Sequence, residues 1–298
     1  MTILKTEQQV GLLELVKSQE WDQVIQRCKI ARKKEFLIQD KASFLQTPLH
    51  LALRFKASIH VIREFTKHND FSKAMEMRDN YCGYLPLHSA IRYKATSSVL
   101  FLLISKLNHS NSSFLLEQPD RNGMIPLHIA CTFGSSLETI QVLVRANPLS
   151  TRINTTKGKS ILFLASECSK ITPEVLSFIL KSINISNERG HDEYRGYTPL
   201  HMACMYTHDR SVDVVSLLVQ YDPSACFQKT PSSEQTPLGL YFDMGSNSKE
   251  VIRLLLGPMM DGDGDDIGVV HRTLRFPQDV PQLLEFVLQA FPADVEKL

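Results

Sequence analysis

The sequence predicts an all-α solenoid in which helix-turn-helix units are stacked and closed by capping helices at both ends. Three observations support this fold class. A six-residue motif occurs six times, at steps of 35 to 40 residues. An apolar segment with helical spacing follows each copy, and a proline or a polar loop then ends that segment. A fixed period of this length is typical of repeat proteins, in which each unit packs on its neighbours.

The motif itself predicts the start of a helix. Its first copy reads Thr-Pro-Leu-His-Leu-Ala. Threonine is a good N-cap, and proline is tolerated at the first helical position because its missing N–H is not needed there. Leucine at the third position of all copies and alanine at the sixth position of five are expected to pack against adjoining units. The copies begin at Thr47, Leu85, Ile125, Ser160, Thr198 and Thr236.

A second helix is expected after each copy. The apolar segments that predict these helices are 61–65, 99–103, 140–144, 175–180, 214–219 and 251–256. Pro148, Pro223 and Pro258 come just after three of these segments, where a proline cannot continue a helix. We assign the variation in repeat length to longer loops between units and longer turns between helices.

The residues outside the six copies are expected to cap the stack. Apolar residues within 12–16 and 21–28 predict two short amphipathic helices, and those within 269–276 and 283–288 predict a shortened last unit. A solenoid needs such caps because its end units would otherwise expose an apolar face. The expected organisation of 1–298 as one solenoid is an N-terminal cap at 1–40, six repeats at 41–258 and a shortened C-terminal capping repeat at 259–298.

The motif resembles that of ankyrin-repeat proteins. The shared features are the Thr-Pro-Leu-His-x-Ala block, the Asp120-Arg121-Asn122-Gly123 turn before one copy, and the second helix rich in leucine and valine. Pro-Leu-His is retained in four of the six copies. The repeats, at about 35–40 residues, are longer than the 33 residues of the family. The Ser160 copy lacks both proline and histidine, and the Thr236 copy lacks histidine and the small alanine.

The resemblance also implies a binding site. In this family a concave groove is lined by the end of the first helix of each repeat and by the loop that precedes it. At the corresponding positions this chain has many aromatic, arginine and methionine side chains, which are enriched at protein interfaces. The expected partner-binding residues are Arg54, Phe55, Tyr84, Arg92, Tyr93, Met124, Phe133, Tyr197, Met205 and Tyr206.

Other kinds of site are disfavoured. Motif histidines on neighbouring helices, about 8–10 Å apart, are too widely spaced to share a zinc ion, so we expect them to form hydrogen bonds within the loops. The acidic segment 261–266 resembles the start of a calcium loop, but Asp266 and Arg272 replace the required glycine and glutamate. We find no catalytic, phosphate-binding or nucleic-acid-binding motif. We therefore expect no catalytic residues, cofactor, metal or small-molecule substrate.

Composition and charge restrict the environment of the chain. The 33 Lys and Arg nearly balance the 32 Asp and Glu, yet residues 1–110 carry 17 basic and 10 acidic side chains, whereas 231–298 carry 5 and 11. The longest apolar stretch, 97–105, is too short to cross a membrane. Six widely spaced cysteines are typical of a reducing compartment. We expect a cytoplasmic location, with the nucleus as an alternative, and neither membrane nor nucleic acid as a partner.

The function expected from these observations is non-enzymatic: a module that binds another protein or peptide through the groove and loops. Two alternatives remain open at this point. The chain could be a regulatory or targeting subunit of an enzyme, or an enzyme with a dispersed active site. The acidic segment 261–266 could also compete with the groove as the main interface.

Overall fold

The computed structural model describes residues 11–107, 109–183, 196–206, 212–231, 233–245 and 248–260. These residues form helices and turns, with one antiparallel bridge between Asp40 and Gln46. The chain divides into two compact units, 1–156 (unit 1) and 157–298 (unit 2). The expected C-terminal capping repeat, apart from its first two residues, and the acidic segment 261–266 lie outside the described residues.

Unit 1 consists of two layers of helices preceded by three short ones. The first helix of each repeat begins at the motif and the second follows a short turn, so that first helices pack on first helices and second helices on second helices. The early helices are α1 (Leu12–Lys17), α2 (Trp21–Cys28) and α3 (Lys33–Phe36). The repeat helices and their connectors are α4 (Pro48–Arg54), α5 (Ile59–Thr66), α6 (Phe71–Glu76), α7 (Pro86–Arg92), α8 (Ser97–Ser105), α9 (His109–Glu117), α10 (Pro126–Thr132) and α11 (Leu137–Ala146).

Unit 2 repeats the same arrangement. Its first helices pack in the order α12, α14, α16 and its second helices in the order α13, α15, α17. Their bounds are α12 (Ile161–Glu167), α13 (Pro173–Ser182), α14 (Pro199–Met205), α15 (Val212–Tyr221), α16 (Pro237–Asp243) and α17 (Lys249–Met260). The all-α fold class is therefore confirmed. None of the helices in the described ranges has both the length and the apolar character that a membrane span requires.

The helix starts follow the chemistry of the motif. The hydroxyls of Thr47, Thr198 and Thr236 accept a hydrogen bond from the backbone N–H three residues later, as expected of N-caps. Ser160 does the same in the copy that lacks proline. The leucine at the third motif position is buried in all six copies, and the alanine at the sixth is fully buried in five. These small side chains let neighbouring helices approach closely.

The connections between repeats differ from the sequence expectation. The additional residues form short helices, α6 and α9 in unit 1, rather than longer loops alone. Pro148 and Pro223 each start a 3-10 helix. The expectation that Pro258 ends its helix is wrong, since α17 continues to Met260. A proline near the end of a helix removes only its own backbone hydrogen bond, and little helix remains to be disrupted.

Candidate functional site

Four motif histidines connect each loop to the next. The backbone N–H of the residue three positions earlier donates to Nδ1 of His50, His88, His128 and His201, at 3.1 to 3.3 Å. Nε2 of the same rings lies 2.7 to 3.3 Å from carbonyl oxygens further along the chain, those of Tyr84, Met124, Ile153 and Gln235. Because Nδ1 accepts, Nε2 carries the proton and donates it. The predicted hydrogen-bonding role of these histidines is confirmed.

Burial keeps these rings neutral. It lowers the pKa of His50, His88 and His128 from 6.5 to about 4, mainly because a charged imidazolium would lose its hydration. Such rings have structural partners on both nitrogens and no free position for catalysis or metal binding. Within the described ranges, no three His, Cys, Asp or Glu side chains come together in a way that could hold a metal ion.

Buried aspartates hold the loops that precede the first helices. Asp79 Oδ1 accepts hydrogen bonds from the amides of Cys82 and Tyr84, at 3.2 and 2.9 Å. Asp120 Oδ1 accepts two equivalent bonds from Asn122 and Met124, both 2.8 Å long. Both carboxylates are almost completely buried. They therefore fix the position of each loop relative to the first helix that follows it.

The C-terminal ends of the first helices in unit 1 form a strip of alternating arginine and aromatic side chains, which we call the helix-end strip (Arg54, Phe55, Arg92, Tyr93 and Phe133). The guanidinium carbon of Arg92 lies 4.0 Å from the ring centroid of Phe133. Those of Arg54 and Arg92 both lie 5.9 Å from the centroid of Tyr93. The strip thus links three successive repeats by cation–π contacts.

The arginines of the helix-end strip are exposed, and its aromatic rings are half-buried. Arg54 Nη1 donates to Gln46 Oε1 over 3.2 Å, and Gln46 Nε2 donates in turn to Asp79 Oδ2 over 3.3 Å. All five residues were predicted to lie in the binding site. The structure brings Arg54, Arg92, Tyr93 and Phe133 into contact, and Phe55 follows Arg54 at the end of α4. Whether a partner contacts them stays a prediction.

Two other predicted residues of unit 1 lie differently. Tyr84 is only 8% exposed, and its ring stacks in parallel on His88 with centroids 5.7 Å apart. It therefore has little surface to offer, and a direct contact with a partner would involve only its rim. Met124 is half-buried in the loop before α10, where its carbonyl oxygen accepts the bond from His88.

The predicted residues of unit 2 form a separate group. Tyr197 is half-buried and meets His201 edge-on, with ring centroids 5.9 Å apart. Met205 is the last residue of α14, and Tyr206 follows it with 44% of its surface exposed. Met205 and Tyr206 correspond to positions of the helix-end strip, whereas Tyr197 corresponds to Tyr84 and Met124. No arginine occurs in the described sequence between 196 and 206.

Sequence reasoning missed two lysines beside the helix-end strip. Lys56 and Lys94 come two residues after the ends of α4 and α7, are exposed, and have positive φ angles of 55° and 58°. The third repeat has Gly134, with φ 61°, at the same position. The recurring Arg-aromatic-Lys triplet was visible in the sequence, but the backbone conformation that makes the lysines unusual was not.

An exposed aromatic pair at the loop tips was also missed. Phe44 and Tyr81 are 52% and 64% exposed, and their ring centroids are 5.1 Å apart. A backbone hydrogen bond from Asn80 to Phe44 joins the two tips, and the Arg121 side chain bonds to Asn80 from the next loop. Because each tip contacts the following one, large side chains at successive tips lie next to each other.

Comparisons with known proteins agree with this architecture. The family model described as "Ankyrin repeat" matches residues 122–152 and 195–228. The chain is 27% identical over 177 residues to the putative ankyrin repeat protein FPV031 of fowlpox virus, covering 55% of this chain and 49% of that protein. It is 30% identical over 144 residues to the probable 26S proteasome regulatory subunit p28 of Saccharomyces cerevisiae, covering 45% and 59% respectively. The chain thus spans about half the length of these relatives.

Solved structures show the same fold. The ankyrin repeat domain of Bcl-3, a member of the IkappaB protein family, superposes with a TM-score of 0.60 at 21% identity, covering 83% of this chain and 97% of that one. The human ASB11 ankyrin repeat domain gives 0.58 at 15% identity, covering 86% and 100%. At these identities the similarity concerns the fold.

Proposed function

We propose that this chain, which has the ankyrin-repeat fold, holds another protein through the helix-end strip of unit 1 and the loops beside it. One observation carries this proposal: three successive repeats place arginine and aromatic side chains in contact with each other at a solvent-exposed position. Arginine and aromatic side chains contribute most of the binding free energy in typical interfaces. Half-buried rings also hold the arginines in place, which reduces the entropy lost on binding.

The proposal also includes what the sequence leads us to expect of the chain's activity, location and repeat organisation. The chain acts without catalysis, in the cytoplasm or the nucleus, and residues 1–40 and 259–298 cap a series of six repeats. The ankyrin-repeat fold is typically non-enzymatic, and the histidines of the motif are already engaged on both nitrogens. Tyr197, Met205 and Tyr206 extend the binding surface within unit 2.

Affinity capture from the native lysate tests the proposal with matched variants. Arg92→Ala and Phe133→Ala should each weaken the binding free energy of the partner by about 1–3 kcal/mol, because each removes a side chain of the strip. The loss of affinity is seen as reduced retention of the partner. Arg145→Ala is the control, since Arg145 is also an exposed arginine in the last turn of a helix, but on α11 in the second-helix layer. Equal loss in the control, or full retention in both strip variants, would exclude the strip as the interface.

One relative supports a more specific role. The yeast protein is named as a probable regulatory subunit of the 26S proteasome, so the alternative is that this chain also regulates or targets a larger enzyme. The same strip would then contact a subunit of that enzyme. Assaying the captured material for an activity that co-purifies with the wild-type chain, and is lost with Arg92→Ala, distinguishes this role from that of a simple scaffold.

A further inference from the structure

The helix-end strip lies within a group of four exposed cations. Arg54 and Lys56 follow each other closely at the end of α4, and Arg92 and Lys94 occupy the equivalent positions at the end of α7. All four side chains are exposed. Since α4 and α7 pack directly on each other, these four residues, which we call the cationic set, form one positively charged patch.

Among the described residues, no acidic side chain forms an ion pair with the cationic set, and Arg54 is linked to Asp79 only through Gln46. The ion pairs found among the described residues include none of its members. The nearby loop carboxylates, Asp79 and Asp120, are buried and accept hydrogen bonds from backbone amides. Residues 1–156 as a whole carry 20 Lys and Arg against 13 Asp and Glu. The patch is therefore free to attract an external anionic group.

Two members of the cationic set occupy positions that disfavour them. The left-handed backbone conformation of Lys56 and Lys94 is energetically unfavourable for a residue with a Cβ, and glycine is the usual solution. Gly134 adopts that solution in the next repeat. Residues held in such conformations tend to occur at functional sites. A lysine at this position costs stability, so a benefit outside folding accounts for it better than packing does.

The arginines of the set are already oriented. Tyr93 contacts both guanidinium groups, and Phe133 covers one face of Arg92. A guanidinium stacked on a ring keeps its N–H groups in the plane, where they can bind a carboxylate with two parallel hydrogen bonds. Arg92 covers one face of the Phe133 ring, which leaves that face less available for stacking on a nucleic-acid base.

From these observations, and on the basis of the proposed function, we infer that the cationic set binds an extended acidic segment of the partner protein, with glutamate or aspartate about every third residue. Neighbouring packed helices are about 8–10 Å apart. Three residues of a polyproline II segment, an extended conformation with three residues per turn, span about 9 Å and return the side chain to the same face. Consecutive acidic side chains at that spacing would therefore meet the ends of consecutive repeats.

The competing explanation is that the cations only stabilise helix C-termini through the helix dipole. That effect requires a positive charge near the end of the helix, but it does not require a residue with a Cβ in the left-handed conformation. Lys106 and Arg145 occupy the same kind of position at the ends of α8 and α11, in the second-helix layer. They are therefore suitable controls, because they share the helix-end location and the charge but not the strip.

The test is fluorescence anisotropy with the full chain and a fluorescein-labelled peptide containing four Glu-Gly-Ser units. The peptide with Gln in place of Glu is the control ligand. We expect the Glu peptide to bind at least about tenfold more tightly, and Arg54→Glu with Arg92→Glu to weaken it by about tenfold or more. Lys94→Gly should weaken it about two- to fivefold with no decrease in the urea midpoint. Lys106→Glu with Arg145→Glu should change it less than about threefold.

Several results would overturn the inference. One is absence of binding to the Glu peptide, or equal binding of the Gln peptide. Another is an equal loss of peptide affinity in the control variant Lys106→Glu with Arg145→Glu, which makes the same charge change. That result would show that the peptide responds to the overall electrostatic field of the protein and not to a specific site. Tighter binding of oligouridine, or of phosphatidylserine vesicles, that displaces the peptide from the wild-type chain would assign the patch to RNA or to a membrane instead.

The inference and the proposed function can fail separately. If the Glu peptide does not bind, but Phe133→Ala loses the captured partner, the strip is an interface for a segment of different chemistry. If the peptide binds at the cationic set, but Arg92→Ala and Phe133→Ala retain the partner, the acidic-segment site exists and the main interface lies elsewhere.

Discussion

Lowering the pH from 7.0 to 5.5 should strongly destabilise unit 1. His50, His88 and His128 are buried there as neutral rings whose pKa of about 4 lies below the value of 6.5 in an exposed chain. Between these two values the unfolded state binds protons that the folded state does not. Stability is therefore complete above the unfolded pKa and is lost as the pH falls towards the folded pKa.

The size of the effect follows from the same pKa values. One histidine with a folded pKa near 4 and an unfolded pKa of 6.5 loses slightly more than about 1 kcal/mol of stabilisation between pH 7.0 and 5.5. Three such residues together lose about 4 kcal/mol. That is a large fraction of the free energy of unfolding of a typical domain, about 5–15 kcal/mol. Unit 1 should therefore be much less stable in mild acid, at a pH where most carboxylates are still ionised.

Urea unfolding at constant ionic strength, followed by the fluorescence of the single tryptophan, measures this change. Trp21 begins α2, so its signal reports on unit 1. His128→Phe is the informative variant because Phe163 occupies the same motif position, fully buried, in the next copy. It should reduce the loss of unfolding free energy between pH 7.0 and 5.5 by about 1 kcal/mol, from about 4 to about 3 kcal/mol. Leu127→Ala is the control, which should lower stability equally at both pH values.

The reasoning would be refuted by an unfolding free energy that is the same at pH 7.0 and 5.5. It would also be refuted if His128→Phe kept the full pH dependence, since the protons would then bind elsewhere. A pH dependence that appears only below pH 4.5 would indicate carboxylates rather than histidines.

Three further outcomes are expected. Leu127→Ala should cost about 2–5 kcal/mol in urea unfolding, because Leu127 is 2% exposed in a copy that retains Pro-Leu-His, and a cost below about 1 kcal/mol would contradict its central packing role. Lys94→Gly should leave stability unchanged or raise it by up to about 1 kcal/mol, whereas a loss above 1 kcal/mol would show that the lysine stabilises the fold. Amides of α12 and α13 should exchange hydrogen faster than those of α10 and α11, because Phe163 cannot form the hydrogen bonds that a motif histidine forms at this position. Equal protection of the two pairs of helices, measured by mass spectrometry, would contradict this.

The sequence predicts the helices well where the determinants are local. Thr47 and Pro48 define the start of α4 by capping and by a preset φ angle, and both effects act within one turn. The position of His50 predicts its bond with the Thr47 N–H for the same reason, whereas its bond to the Tyr84 carbonyl joins residues 34 positions apart. The helices α6 and α9 were not predicted. The apolar residues of α6 have helical spacing but extend over only six residues, and those of α9 form one block near its end.

The candidate site is less predictable because it depends on tertiary contacts. Arg92 and Phe133 are 41 positions apart in the sequence, and only the stacking of α7 on α10 brings them within 4.0 Å. The burial of Tyr84 likewise results from the packing of its loop. The positive φ of Lys94 could not be inferred because the usual signal, a glycine, is absent at that position.

The motif histidines donate their hydrogen bonds in the same direction along the chain, each to a carbonyl oxygen that follows it in the sequence. In each of the first two repeats the ring donates to the carbonyl of the residue just before the next motif, Tyr84 for His50 and Met124 for His88. A segment running from Leu85 to Met124 therefore begins and ends at equivalent points of this series. Duplicating that segment would supply each new ring with its acceptor and each new motif with its donor. The array can therefore lengthen by tandem duplication without leaving a buried polar group unsatisfied at the new junction.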